Sequence, residues 1–175
     1  MQSLIYDVAV SIDGYIAGAN ADVSLFAHEG AVVEDYHARM ADYKVAIMGR
    51  KTYEFGYQFG LKPGDNPYPS MQTIVFSNSV SLPDDSTVAK VSSDLPSEIE
   101  SLKVSAKGPI YLCGGGEFAG NLLSLGLIDK IILKRAPILL GTGTRLFGKY
   151  AASQSLKCIS HKQYDSGYVL QGFVP

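Results

Sequence analysis

Ile110-Tyr111-Leu112-Cys113-Gly114-Gly115-Gly116-Glu117-Phe118 passes from a short apolar run through three glycines into a helical pattern. Four consecutive apolar residues without polar alternation suit a strand covered on both faces, the habit of a parallel sheet. Phe118, Leu122 and Leu125 then share one face at helical spacing, which predicts a helix over Glu117–Gly126. A buried strand that turns through glycine directly into a helix is the repeating step of an α/β fold.

The same step recurs upstream. Val45-Ala46-Ile47-Met48 reads as a buried strand, and Gly49 leads at once into Arg50-Lys51-Thr52-Tyr53-Glu54-Phe55, a helix opening. Leu4 to Ser11 is a further buried strand, ending in Asp13-Gly14 and a loop through Gly18 that is rich in residues tolerant of positive φ. Ala31 to Lys44 has helical periodicity, with Val32, Val33, Tyr36, Met40 and Tyr43 on one face. Residues 60–70 hold two glycines and three prolines and read as a solvent-facing loop. Thr73–Phe76 and Ser86–Val91 are strands, Pro96–Val104 a helix, and Lys130–Pro137 a strand. Leu156–Tyr164 and Tyr168–Val174 flank Asp165-Ser166-Gly167, a hairpin signal. The order β-α-β-α-β-β-α-β-α-β with a closing hairpin predicts one α/β domain over residues 1–175. Its sheet is mostly parallel, with helices on both faces and an antiparallel edge.

Composition fits this reading and excludes several functions. The chain has 175 residues, 46% apolar and 18% charged, with fifteen Lys and Arg against seventeen Asp and Glu for a net charge of −2. A broadly basic nucleic-acid surface is therefore not expected. No apolar run is long enough to span a membrane, and the start Met1-Gln2-Ser3-Leu4-Ile5-Tyr6-Asp7 lacks the basic head of a secretory signal, so the expectation is a cytoplasmic protein. Cys113 and Cys158 form no C-x-x-C pair, and His28, His37 and His161 have no ligand spacing, so no metal site is expected. His37 flanks the apolar stripe of its helix and is expected to pack partly into the core.

In open α/β sheets ligands bind beyond the carboxyl ends of the strands. Three strands end there in something unusual: Asp13-Gly14 with Gly18, Gly49-Arg50-Lys51-Thr52, and Gly114-Gly115-Gly116. Glycines at a helix N-terminus leave backbone N–H groups free for an anion. Arg50 and Lys51 stand at the head of a helix, where cations oppose the helix dipole and are better explained by an anionic ligand. A ligand with two or more phosphates, stretched across the rim, would use both turns. Gly143-Thr144-Arg145-Leu146-Phe147-Gly148-Lys149 spells an apparent P-loop, but Tyr150 replaces the magnesium-binding Ser or Thr and no early buried strand precedes it. Neither a G-x-G-x-x-G after the first strand nor a G-x-S-x-G elbow is present.

Ser11-Ile12-Asp13-Gly14-Tyr15-Ile16-Ala17-Gly18, Met48-Gly49-Arg50-Lys51-Thr52-Tyr53-Glu54, Thr73-Ile74-Val75-Phe76-Ser77 and Ile110 to Gly120, in that order, resemble the three-layer dihydrofolate reductase fold. Leu125-Gly126-Leu127-Ile128-Asp129-Lys130 and Pro137-Ile138-Leu139-Leu140-Gly141-Thr142-Gly143 are more similar to the reductase domain of riboflavin biosynthesis. The resemblance implies an NADP-dependent oxidoreductase acting on a small-molecule substrate, commonly as a homodimer. It implies that Ala9 to Gly18 cover the nicotinamide, with Ile16 near its ring. It implies that Arg50, Lys51 and Thr52 bind the adenosine-side phosphates and that Ser77 and Asn78 help at the 2′-phosphate. Gly115 and Gly116 with Glu117-Phe118-Ala119 would wrap the pyrophosphate, often with a cis bond inside the glycine pair. Arg50 and Lys51 without a neighbouring acid favour NADP over NAD.

The substrate half departs from the pattern. Dihydrofolate reductases carry an acid on the first helix; here the position falls near Val33, beside Glu34 and Asp35. Asp35 lies nearer the apolar face and is the candidate proton source, with an i,i+4 pair to Arg39 as the alternative. Tyr53 is the second candidate, through a held water. The chain has no Trp, Cys113 stands where riboflavin-type reductases place an acid, and no deaminase motif is present. Dihydrofolate reduction and a non-catalytic NADP-binding module stay open as alternatives at this point.

Overall fold

In the computed structural model, which describes residues 1–175, the chain runs β1 (Leu4–Val10), β2 (Tyr15–Ala17), α1 (Ala31–Asp42), β3 (Val45–Gly49), α2 (Arg50–Phe55), β4 (Gln72–Phe76), β5 (Ala89–Val91), α3 (Leu95–Ser105), β6 (Ile110–Gly114), α4 (Gly116–Ser124), β7 (Lys130–Arg135), β8 (Thr144–Arg145), β9 (Lys157–Gln163) and β10 (Val169–Val174). Eight strands form one sheet in the order β5-β4-β3-β6-β1-β7-β10-β9. The first six are parallel, and β10 pairs antiparallel with both β7 and β9. This is the α/β architecture expected from the sequence.

Alternation along the buried strands sorts the core into two layers. Leu4, Tyr6, Val45, Ile47, Ile110 and Leu112 face α3 and α4, packing with Ile99, Ala119, Leu122 and Leu123. Ala46, Met48, Val75 and Tyr111 point the other way, against Tyr43 at the end of α1 and Tyr53 of α2. A third cluster, Phe26, Val32, Ala136, Tyr164 and Tyr168, closes the far end under α1. No helix is long and apolar enough to cross a membrane.

Differences from the sequence reading are local. Residues expected as an irregular loop after β1 include β2, which pairs with β8 and ties the apparent P-loop back to the first turn. No helix follows Lys149, so that segment lacks the strand–loop–helix context of a P-loop. The strand expected over Ser86–Val91 shortens to β5: Ser86 hydrogen-bonds locally to Val88, and Thr87 donates to Gly64 O in the 60–70 loop instead of joining the sheet. The β9–β10 turn forms as expected: Tyr164 N–H donates to Tyr168 O, Gly167 N–H donates to Tyr164 O, and Gly167 adopts φ 83°.

Candidate functional site

β3, β6 and β1 are consecutive in the sheet, so the three unusual strand ends lie side by side at one rim. Gly49 precedes α2 and Gly115 precedes α4, and neither helix has a side-chain cap on its first-turn N–H groups. α2 packs on the α1 face through Tyr53, whereas α4 packs on the opposite face through Ala119 and Leu122. Adjacent strands thus send their helices to opposite faces, which opens a crevice at their carboxyl ends.

The two turns touch. A Cβ on Gly115 would lie 3.1 Å from Thr52 Oγ1, and one on Gly49 would lie 3.5 Å from Phe118 Cβ. The peptide bond between Gly114 and Gly115 is cis, one bond earlier than the Gly115–Gly116 pair. The third strand end joins through β8: Leu146 N–H donates to Gly14 O at 3.0 Å. Gly116 approaches that segment so closely that a Cβ would fall 2.0 Å from Arg145 O.

The residues assigned to a dinucleotide from the sequence are not equally available here. Lys51 is exposed and has no carboxylate within salt-bridge distance. Arg50 overturns the expectation of cations without an acid, since its guanidinium donates to both carboxylate oxygens of Glu54 at 2.9 and 3.2 Å. Ser77 Oγ accepts from the N–H groups of Ser79 and Val80, and Asn78 is exposed beside it. Glu117 is exposed, and Phe118 stacks on Phe76 with ring centroids 5.3 Å apart. Ala119 is a correction: it is fully buried in the core, and its N–H already serves Gly115 O. Ile16 is half-buried on β2, and Gly18 is buried against Gly143 rather than facing open space.

A separate cleft of about 250 Å³ opens on the α1 face, against the carboxyl halves of β1 and β7. Ala9 and Lys134, paired in the β1–β7 register, form its floor; Phe26, Ala27, Val32, Val33 and Tyr36 wall it, with His28, His37 and Tyr168 completing the lining. Tyr168 is fixed there by accepting the Ala27 N–H at 2.7 Å. His37 is exposed in this lining rather than packed into the core, because its position on α1 turns it away from the sheet.

Lys134, missed from the sequence, is the cleft's most unusual side chain. Its Nζ sits 3.2 Å from the centroid of the Tyr36 ring. Burial pushes its ammonium down to about 8, with nearby Asp7 pulling in the opposite direction and Arg39 reinforcing the fall. Asp7, almost fully buried on β1, is occupied by the Arg39 guanidinium at 2.7 and 3.2 Å and by the Tyr43 hydroxyl at 3.2 Å. Tyr36 and Tyr111 share a hydroxyl–hydroxyl bond of 2.9 Å, and burial raises both phenols. A sequence signal existed: Asp7 and Lys134 are charges inside strands that otherwise read as covered on both faces.

Neither proton source expected from the sequence reaches the cleft. The Asp35 carboxylate binds Lys162 and Tyr164 on the hairpin, at 2.5 and 2.6 Å, which keeps it below the usual carboxylate range. Arg39 therefore does not form the expected side-chain pair; it donates to the Asp35 backbone oxygen and spends its charge on Asp7. Tyr53 is 1% exposed, donating to Asp65 O and accepting from Gly64 N–H, so it anchors the 60–70 loop. Cys113 is not an activated thiolate, since burial pushes its thiol up and Tyr68 lies 3.1 Å away.

Comparison with known proteins agrees with this architecture. The family model for the RibD C-terminal domain matches residues 2–170. The uncharacterized protein YyaP of Bacillus subtilis strain 168 is 26% identical over 178 residues, covering 95% of this chain and 91% of the relative. A solved protein of Shewanella sp. PV-4, assigned provisionally to riboflavin biosynthesis, superposes with a TM-score of 0.81 at 27% identity, covering 99% of this chain and 98% of the other. The Thermotoga maritima diaminohydroxyphosphoribosylaminopyrimidine deaminase/5-amino-6-(5-phosphoribosylamino)uracil reductase shares the fold, with a TM-score of 0.78 at 17% identity, and this chain spans 56% of its length.

Proposed function

The chain belongs to the RibD C-terminal domain family, and from that footing we propose that it is an NADPH-dependent reductase of the riboflavin-biosynthesis type, acting on the C=N or C=O bond of a small molecule. The observation that carries the reading is the pair of uncapped helix starts at Gly49 and Gly115, in contact at the rim, with Arg50 and Lys51 beside them. Free first-turn N–H groups and flanking cations are the donor set a dinucleotide's phosphates require. A Cβ on Gly115 would press on Thr52 Oγ1 at 3.1 Å, so glycine keeps the backbone of this helix start close to its neighbour and open to a ligand.

In this reading the N–H groups after Gly115 hold the pyrophosphate, and Arg50, Lys51 and Ser77 hold the adenosine-side phosphate. Arg50 can turn from Glu54 to the phosphate because both side chains remain partly exposed. A reduced nicotinamide, when bound, supplies the hydride. The chain's own work is to fix the nucleotide at the rim and to seat the substrate in the cleft beside Ala9. That cleft has no carboxylate in its lining, which disfavours the dihydrofolate alternative, where an acid on the first helix meets the substrate.

A homodimer accompanies this proposal, supported by β9, an edge strand exposed along its whole length. Sedimentation giving only a monomer would remove that part. The central claim is tested by titrating NADPH and following its fluorescence. Saturable binding in the micromolar range is expected, and no binding there overturns it.

A further inference from the structure

We propose that Lys134 is the catalytic acid of this reductase: its Nζ receives the electronegative atom of the substrate's C=O or C=N bond in the α1-face cleft and protonates it. The inference rests on the reductase reading above and adds the group that reading leaves unassigned, since Asp35 and Tyr53 are turned away.

Three observations carry it. Lys134 lines the cleft opposite Ala9, with its ammonium against the face of Tyr36. No carboxylate lies within salt-bridge distance of Nζ and no oxygen accepts from it, while Asp7, the nearest acid, is saturated by Arg39 and Tyr43. Lys134 is only partly buried and lines the cleft, and no fully buried polar side-chain atom in the molecule is left without a partner. A cation held on an aromatic face with its N–H donors unused is poised for an acceptor that the protein does not supply. The apolar walls admit a flat body, and the one free charge selects an electron-rich atom on it.

The step balances. As the C=O or C=N carbon gains a hydride from the reduced nicotinamide, the π pair moves to the heteroatom. That atom takes a proton from Nζ, and the neutral amine recovers one from water at the cleft mouth. The lowered proton affinity of Lys134 suits a donor working near neutral pH. The charged and titratable groups around it are Asp7 on β1, Arg39 and Tyr36 on α1, Cys113 and Tyr111 on β6, and His28 and His37 at the mouth.

The test uses the intact protein and two flat probes, benzoate and its neutral counterpart benzamide. Trace acetylation with acetic anhydride across pH, read by mass spectrometry, gives the titration midpoint of each lysine without any variant. Lys134 is expected to titrate at least ~1 pH unit below the ordinary lysine value, a tenfold difference in free amine. Benzoate at millimolar concentration is expected to protect Lys134 about tenfold, and benzamide, which offers a carbonyl oxygen without the charge, to protect it more weakly. Saturation-transfer NMR is expected to detect benzoate on the parent protein and not on Lys134→Met, while NADPH binds both. A Lys134 midpoint at the ordinary lysine value, or unchanged benzoate binding by Lys134→Met, overturns the proposal. Failure of these arms with NADPH binding intact removes this inference alone. Failure of NADPH binding with the lysine arms as expected removes the reductase reading and leaves Lys134 as an anion-binding group.

Discussion

Replacing Lys134 by methionine should make the folded protein more stable at neutral pH, although it removes the ammonium's contact with the Tyr36 ring. The folded environment holds this ammonium down to about 8 against an ordinary 10.5, chiefly through burial. At about 1.4 kcal/mol for each pH unit, that gap costs the fold ~3 kcal/mol whenever both folded and unfolded chains carry the charge. Contact with the Tyr36 ring returns roughly 1 kcal/mol of this, and methionine conserves most of the stem's packing. The expected gain for Lys134→Met is therefore about 1–3 kcal/mol at pH 7. The sign follows from proton counting. Below about 8 both states are protonated and the cost is fully present. Between about 8 and 10.5 the folded chain releases its proton first, so the parent gains stability and the difference closes. Urea denaturation of both proteins at pH 7 and again near pH 9.5 reads this directly, and the difference cancels groups the two share. A variant less stable than the parent at pH 7, or a gain that does not shrink at the higher pH, would refute the reasoning. Retention of a cation that destabilises its own fold fits a residue kept for chemistry.

Charge reversal at Arg50 should weaken NADPH far more than NADH, by about 10–100-fold, since one charge-assisted phosphate contact is worth roughly 1.5–3 kcal/mol. Equal losses for the two nucleotides in a fluorescence titration would contradict the 2′-phosphate assignment. Gly116→Ala should cost about 2–4 kcal/mol in thermal or urea unfolding, because its methyl would meet Arg145 O at 2.0 Å, backbone against backbone. Gly49→Ala, which meets only Phe118 Cβ at 3.5 Å, should cost less than ~1 kcal/mol. Asp35 is held below the usual carboxylate range by Lys162 and Tyr164, so its grip on the hairpin is present above about pH 4 and is lost as pH falls through its lowered value. Amide protection factors in β9 and β10, taken relative to the intrinsic exchange rate at each pH, should accordingly fall in acid, and in Asp35→Asn they should already be lower at neutral pH; unchanged protection in the variant at neutral pH would show that other contacts hold the hairpin.

The order of elements and the parallel sheet were legible in the sequence because they depend on local information. Strand periodicity, helix periodicity and glycine at the strand–helix junctions act over a few residues, and Leu4–Val10, Val45–Gly49 and Ile110–Gly114 each carry all they need to be read. The rim was legible for the same reason: Gly49-Arg50-Lys51 and Gly114-Gly115-Gly116 are contiguous motifs, and their convergence follows once the strands are parallel neighbours.

Side-chain partners across the fold were decided only by tertiary packing. Asp35 sits on the helix face where a substrate acid would stand, yet a hairpin more than a hundred residues later brings Lys162 and Tyr164 onto its carboxylate. Tyr53 reads as a rim residue but points inward, because α2 packs on the α1 face. Lys134 acquires its character from Ala9 beside it in the sheet, Tyr36 above it and an Asp7 already taken by Arg39, three neighbours contributed by separate elements. Sequence determines which strands and turns form, since their signals are short-range. The electrostatics of the cleft are set by which distant charges find one another first, and that is a property of the packed molecule.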